Sequence, residues 1–371
     1  GREFYLPHKP VIRESAESTK LRIVFDASAK ENSGSASLND CLETGPALQN
    51  SLWEILVRNR LKPVAVTGDI KQAFLQIRIR EEDRDALRFH WIKDKKTKEI
   101  ETFRFTRALF GLVQSPFLLG GTIESHLESK SGECAQIVDE IKDDIYVDDL
   151  ITGGDTVEDT NQIKQDSKDI FKDAGLELHK WHSNVSSIED TEDEGDHEQG
   201  YAKQKLGVKE NETKMLGIHW DKGKDVLKIT FPAESAKPTK RGILQKLASI
   251  YDPLGIVAPI TLLGKFLYRD SCDQRLDWDT PLPNQLNKMW KTWEQHLPEY
   301  IQIPRSLSLY RERIVAVDLH AFGDASKDGV SAAVYAMVIQ GSGYNQGLLT
   351  AKSRLAKRGM TIQRLELVGS H

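Results

Sequence analysis

Two short apolar runs in this chain end in acid, and no other feature restricts its folding so strongly. Val64-Ala-Val-Thr-Gly-Asp69-Ile70 has the unbroken apolar character of a buried strand, and it finishes on a carboxylate. Ile145-Tyr-Val-Asp-Asp-Leu-Ile151 reads as two very short strands joined by a turn at Asp148 and Asp149. A carboxylate at the end of a buried strand is costly unless something compensates it. Strands lying side by side would bring Asp69 and Asp148 to one point. Converging like charges need a cation, and an all-oxygen ligand set selects Mg2+ or Mn2+. Taken alone, an Asp-Asp pair is an ordinary solvated turn, because Asp favours turns.

The rest of the chain frames these runs. Leu21-Arg-Ile-Val-Phe25 alternates like a strand, residues 26–40 form a loop by composition, and residues 42–61 read as mainly helical. A hairpin is expected over 87–105, and a helix over 117–127 entered through Ser115-Pro116. Residues 157–174 form an amphipathic helix closed by Gly175. Residues 185–212 are rich in Glu, Asp, Ser and Lys without an apolar period, so a disordered or surface insertion is expected there. Beyond Pro238 the pattern is helical through residue 300, broken by Tyr251-Asp-Pro-Leu-Gly255. From Ile314 it alternates like strands before a helix near Thr361.

At 371 residues the chain has room for roughly two or three domains. It has no run of 18 apolar residues, so no transmembrane helix and no membrane partner are expected. Cys41, Cys134 and Cys272 are too scattered for a zinc site or a disulfide framework. The net charge of −5 speaks against a nucleic-acid binder in bulk, but its placement speaks for one. Residues 189–198 hold seven acids and neither Lys nor Arg. Residues 51–110 and 236–275 carry a basic excess, which suits phosphate contacts.

Three motifs in order carry a family resemblance. Tyr146-Val-Asp-Asp149 resembles the tetrapeptide at the catalytic hairpin of reverse transcriptases. Asp69-Ile-Lys-Gln-Ala-Phe74 resembles their first catalytic motif, and Ala108-Leu-Phe110-Gly111-Leu-Val-Gln-Ser-Pro116 the motif between the two. More finely, the chain is similar to the polymerase region of BEL/Pao-type LTR retrotransposons. That match rests on Tyr5-Leu-Pro-His-Lys-Pro10, Val24-Phe-Asp-Ala-Ser28, Leu38-Asn-Asp40 with Gly45-Pro46, and Tyr251-Asp-Pro-Leu-Gly-Ile256.

The resemblance implies an α+β right-hand polymerase with fingers, thumb and a ferredoxin-like palm of split βαβ type. Fingers and palm would occupy residues 1–235, thumb and connection 236–312, and a truncated ribonuclease H-like α/β unit 313–371. It also implies roles. Asp69 and Asp148 would hold two ions of Mg2+ or Mn2+, with the Ile70 backbone as a further oxygen ligand and Asp149 beside the site. Arg22 would bind the triphosphate, and Lys20 is the nearest candidate for a second cation there. Phe74 would be the steric gate against a ribose 2′-hydroxyl, and Phe110 and Gly111 would line the nucleotide pocket. Tyr146 and Val147 would lie at the primer end, and Met215, Leu216 and Gly217 would form the primer grip. In Gly175-Leu-Glu-Leu-His-Lys-Trp-His182, Lys180 is displaced from the usual proton donor's place and His182 is nearer, so both remain candidates.

Phe322-Gly-Asp324-Ala-Ser and Gln363-Arg-Leu-Glu366-Leu resemble retroelement ribonuclease H, in which Asp324 and Glu366 would bind metal. Its further acids would follow His371, so this unit is expected to be inactive alone. The leading expectation is an RNA-directed DNA polymerase whose partners are an RNA or DNA template, a primer, dNTPs and the rest of a retrotransposon polyprotein. Its setting would be intracellular, in cytoplasmic particles or the nucleus. Two alternatives stand beside it: a decayed or domesticated fragment that binds nucleic acid without catalysis, and an RNA-dependent RNA polymerase. Phe74 and the ribonuclease H-like tail speak against the latter.

Overall fold

A strand as apolar as residues 64–70 needs cover on both faces, and the fold supplies it. The computed structural model describes residues 3–12, 21–132, 134–189 and 212–370. β1 (His8–Ile12) and β2 (Leu21–Phe25) form an antiparallel ribbon. α1 (Leu52–Asn59) follows, its Ser51 hydroxyl accepting from the Glu54 N–H. The helix expected over 42–61 is thus confined to its second half. Gly45 has φ +76° and precedes Pro46, and both features oppose a helix. β3 (Val64–Ile70) leads into the one-turn α2 (Ala73–Gln76), and β4 (Arg88–Asp94) pairs with β5 (Glu99–Arg104) in the expected hairpin.

α3 (Ser115–Lys130) carries Pro116 in its first turn, where the missing N–H costs nothing. α4 (Ala135–Asp144) was not legible as a helix, since its buried Val138 and Ile141 sit within a run of acids. β6 (Ile145–Tyr146), β7 (Asp149–Gly154), α5 (Val157–Asp173) and β8 (Leu178–Ser183) complete the palm, an antiparallel sheet of order β6-β7-β3-β8. On one face Val64, Val66 and Ile70 pack with Leu119, Ile123, Ile141 and Phe171 from α3, α4 and α5. On the other, Ala65 and Ile151 meet Ile55 and Leu56 of α1 together with Trp220. α1 and a second sheet thus close this opposite face.

That second sheet has the order β12-β11-β10-β9, built from β9 (Glu212–Met215), β10 (Ile218–Asp221), β11 (Val226–Thr230) and β12 (Tyr300–Pro304). Between β11 and β12 lie α6 (Lys240–Ala248), α7 (Ala258–Asp273) and α8 (Asn284–Gln295), packed around Ile243 and Trp290. β13 (Ile314–Ala325), β14 (Gly329–Gln340) and β15 (Gly343–Leu355) form a third, antiparallel sheet. α9 (Ile362–Ser370) packs on it through Leu365 against Val330.

The expected insertion over 185–212 begins later than its composition suggests. Ser186–Ile188 forms a 3-10 turn whose Ile188 is buried in the palm core. The Lys164 ammonium donates to the Ile188 carbonyl at 2.6 Å, and Glu189 accepts from the Ser183 N–H at 2.8 Å. One buried apolar side chain with satisfied polar neighbours outweighs the local polarity. Residues 190–211 lie outside the described residues.

Two buried arginines join the three sheets. Arg60 donates through Nη1 to the Leu348 and Leu349 carbonyls of β15 at 2.5 and 2.7 Å. Arg305 donates to the Asn59, Lys62 and Pro63 carbonyls and pairs with Asp225 at 2.6 Å. Burial, with Arg305 nearby, brings the Arg60 guanidinium down to about 10, still charged at neutral pH.

Candidate active site

Register explains why the acids meet. β3 pairs with β7 from Val64 opposite Gly154 to Asp69 opposite Asp149. Tyr146 pairs with Asp149, so Val147 and Asp148 form the whole turn between β6 and β7. The Ile70 N–H donates to the Asp148 carbonyl at 2.8 Å, which fastens that turn to the end of β3. Val147 has φ +57°, a strained conformation for a β-branched residue, of the kind that accumulates at functional sites.

β8 approaches from the other side, with Asp69 opposite His179 and Thr67 opposite His182. Between these pairs β8 carries an extra residue, and Lys180 adopts φ +52° at the bulge. Gly68 makes this possible, since a Cβ there would lie 3.0 Å from the Trp181 ring. The outcome is that His179 Nε2 lies 3.0 Å from Asp69 Oδ2 and Lys180 Nζ lies 3.9 Å from the same oxygen. His179 was not singled out from the sequence; only the bulged register identifies it. His182 pairs two residues further back along β3.

Burial, and then the charge of Asp69, raise the Asp148 carboxyl above its ordinary pKa. Burial, then Asp148 and Asp69, push Asp149 up to about 6, against the opposing pull of Lys180. Among the described residues no three His, Cys, Asp or Glu side chains are gathered into a compact ligand set. Asp69 instead turns one oxygen to His179 and Lys180. The donor chemistry still suits a hard divalent cation: the groups are carboxylates, two of them hindered from ionising by burial and mutual repulsion.

Phe74, in the one-turn α2 after β3, and Phe110 meet edge to face with centroids 4.6 Å apart. Phe74 is 6% exposed and part of the palm core, whereas Phe110 is 61% exposed. The Phe110–Gly111 segment is held by Asn39, whose Nδ2 donates to the Gly111 carbonyl and to Ser28 Oγ, each at 2.9 Å. Asn39 Oδ1 accepts from the Val113 N–H at 3.1 Å. The Val24–Ser28 and Leu38–Asp40 motifs thus act together as a clamp on this loop, which their separate positions in sequence do not reveal. Arg22 lies on the exposed β1–β2 ribbon opposite Val11, and Lys20 lies outside the described residues.

Met215 pairs with Ile218, leaving Leu216 and Gly217 as a two-residue turn with φ +44° and +89°. Met215 shares a core cluster with Leu254, and Tyr146 packs against it. The Tyr251 hydroxyl donates to the Leu216 carbonyl at 2.7 Å. Burial and the neighbouring Tyr146 phenol raise its pKa.

In the third sheet Asp324 sits opposite Ser331, and its Oδ1 accepts from the Ala325 N–H at 2.9 Å. Glu366 is exposed on α9, whose last turn passes over Gly323. Cys41, Cys134 and Cys272 are free thiols. No helix among the described residues is long and apolar enough to cross a membrane.

An antiparallel sheet with acids at the end of an inner strand is the arrangement of a right-hand polymerase palm, and the fold is of that class. Residues 19–220 match the reverse transcriptase (RNA-dependent DNA polymerase) family, and residues 239–371 match the Pao retrotransposon-like RNaseH-like domain. The chain belongs to the reverse transcriptase family, with a retrotransposon-type ribonuclease H-like region following it. Two solved structures of a foamy viral protease-reverse transcriptase share its fold, each with TM-score 0.53, 15% identity and 99% of this chain covered. One is in complex with an RNA/DNA hybrid, the other is a dRH form in complex with double-stranded DNA. This chain covers 42% and 55% of them, so it spans about half their length. No curated protein matches the chain.

Proposed function

We propose that this chain is an RNA-directed DNA polymerase that extends a primer on an RNA or DNA template with deoxynucleotides. The observation that carries the reading is the register of β3 and β7. It leaves Asp69, Asp148 and Asp149 at one end of a buried strand. Asp69 and Asp148, with the Ile70 carbonyl, would hold two divalent cations, Mg2+ or Mn2+, which supply Lewis acidity for the attacking hydroxyl and the leaving pyrophosphate.

The remaining roles fall to the chain's own side chains. Asp149 supports the two acids from the facing strand. Phe74 fills the place of a ribose 2′-hydroxyl, and Phe110 packs edge-on against it. Gly111 leaves room for the nucleotide, and the planar fork of Arg22 takes triphosphate oxygens from the fingers. Tyr146 and Val147 lie under the primer end, and Met215, Leu216 and Gly217 carry its backbone. Lys180 is favoured over His182 as proton donor to the pyrophosphate, because its ammonium stands 3.9 Å from Asp69. Asp324 and Glu366 would hold metal in the ribonuclease H-like region. The chain would act as fingers and palm (1–235), thumb and connection (236–312) and ribonuclease H-like unit (313–371) of a retrotransposon polyprotein, inside the cell.

The test is primer extension with poly(rA), oligo(dT) and dTTP in Mg2+ or Mn2+. Incorporation is expected, with ribonucleotides used poorly. Asp148→Asn should abolish it without lowering the melting temperature. Folded protein that binds the duplex yet never extends it in either metal would favour nucleic-acid binding without catalysis.

A further inference from the structure

The Leu216-Gly217 turn does not stand alone. Its φ values of +44° and +89° suit the tight twist of a two-residue hairpin, but Leu is poorly disposed to the left-handed region. One side chain from a distant segment meets both residues. The Tyr251 hydroxyl donates to the Leu216 carbonyl at 2.7 Å, and its ring lies so close over Gly217 that a Cβ there would come within 2.9 Å. Tyr251 itself is 45% exposed, so core packing does not account for its position.

The loop bearing Tyr251 is firmly seated. Asp252 accepts from the Ile256 and Val257 N–H groups at 2.9 and 2.8 Å, which closes the turn before α7. Leu254 is 1% exposed and packs with Met215 and Ile218 on either side of the turn. Its carbonyl accepts from the Ala351 N–H at 2.9 Å and from Thr350 Oγ1 at 2.8 Å, both on β15. Thr350 Oγ1 in turn accepts from Trp53 Nε1 of α1 at 2.9 Å. Tyr146, two residues before Asp148, packs against the same cluster. The turn and the catalytic hairpin therefore share one base, and Tyr251 is the prop between that base and the turn.

We infer that Tyr251 is a positioning residue for the primer terminus, holding the Leu216-Gly217 turn from a loop seated on strand β15 of the ribonuclease H-like region. The inference rests on the polymerase reading given above. Tyr251 acts through the turn, so its removal changes how the primer is held and leaves the nucleotide pocket intact.

The experiment uses the full chain and its Tyr251→Phe, Tyr251→Ala and Thr350→Val variants. Duplex affinity is read by anisotropy of a fluorescent oligo(dT) annealed to poly(rA), alongside steady-state extension and thermal melting. Tyr251→Phe should raise the KM for primer–template about fivefold, the effect of losing one hydrogen bond. The KM for dTTP and the melting temperature should not move. Tyr251→Ala should have a larger effect on the same parameter, with the Phe variant as its partial rescue. Thr350→Val should give a smaller shift of the same kind. Primer KM unchanged in the Tyr251 variants, or a loss spread equally over dTTP KM and melting temperature, overturns the inference while wild-type extension keeps the polymerase reading standing. Wild-type protein that neither binds nor extends the duplex overturns both.

Discussion

His179 faces Asp69 across the bulge in β8, with Nε2 3.0 Å from Oδ2. The contact holds one oxygen of a proposed metal ligand in a fixed direction before any cation arrives. Partners of this kind orient a ligand and typically contribute one order of magnitude or more to affinity. His179→Ala should therefore raise the Mg2+ concentration for half-maximal extension about tenfold, with a smaller effect on the rate at saturating Mg2+. A titration of activity against Mg2+ measures this, and an unmoved midpoint would show that Asp69 needs no such support.

Asp149 has a pKa of about 6 in the folded, metal-free chain, against 3.8 for the unfolded residue. Folding is then unaffected by this group below pH 4, and loses stability as pH rises through the window up to about 6. Allowing for its partial exposure, the penalty at pH 7 is about 1–2 kcal/mol. Asp149→Asn should stabilise the metal-free protein by that amount at pH 7 and by nearly nothing at pH 3.5. Urea unfolding at the two pH values distinguishes these outcomes.

Phe74, the proposed gate, belongs to the palm core, being 6% exposed and packed edge-on against Phe110. Phe74→Val opens the space expected to reject a ribose. Discrimination between dTTP and UTP should fall by at least tenfold, at a stability cost of about 2–4 kcal/mol. Paired kinetics on the two nucleotides, with a melting curve, test both halves. Retained discrimination would assign Phe74 to the core alone.

Asn39 clamps the Phe110–Gly111 loop through the Gly111 carbonyl and the Val113 N–H. Asn39→Ala removes both of these bonds, and the one to Ser28 Oγ, from a half-buried position. The KM for dTTP should rise about five- to tenfold, while the KM for primer–template stays put, the reverse of the pattern expected at Tyr251.

Asp225 is the carboxylate partner of Arg305, which is wholly buried among the carbonyls of residues 59–63. Asp225→Ala leaves that guanidinium uncompensated and should cost about 3–5 kcal/mol. The loss should appear as a lower urea midpoint for the palm and the third sheet together, since Arg60 ties β15 to the same joint. Separate transitions would show that the sheets unfold independently.

Much of the fold was legible where apolar pattern and turn chemistry agree, as in β3, the β4–β5 hairpin, α3 and α5. α4 was hidden by its acids, β12 by the helical run before it, and the start of the 185–212 segment by its polarity. In α4 and the 3-10 turn one or two buried apolar residues decided the outcome against composition, whereas β12 is fixed by its pairing with β11 and only half-buries Ile301 and Ile303.

Residue identity and short spacing determined by themselves which residues are candidates for the proposed chemistry: Asp69, the paired Asp148 and Asp149, Phe74 and the Phe110-Gly111 run are local features. Only the tertiary structure decided which groups stand beside them. His179 reaches Asp69 across 110 residues because a bulge at Lys180 shifts the register of β8. Tyr251 reaches Leu216 across 35 residues, and Arg60 reaches Leu348 across 288. Such pairings follow from strand register and the path of the chain through a close-packed interior, and no local periodicity encodes either.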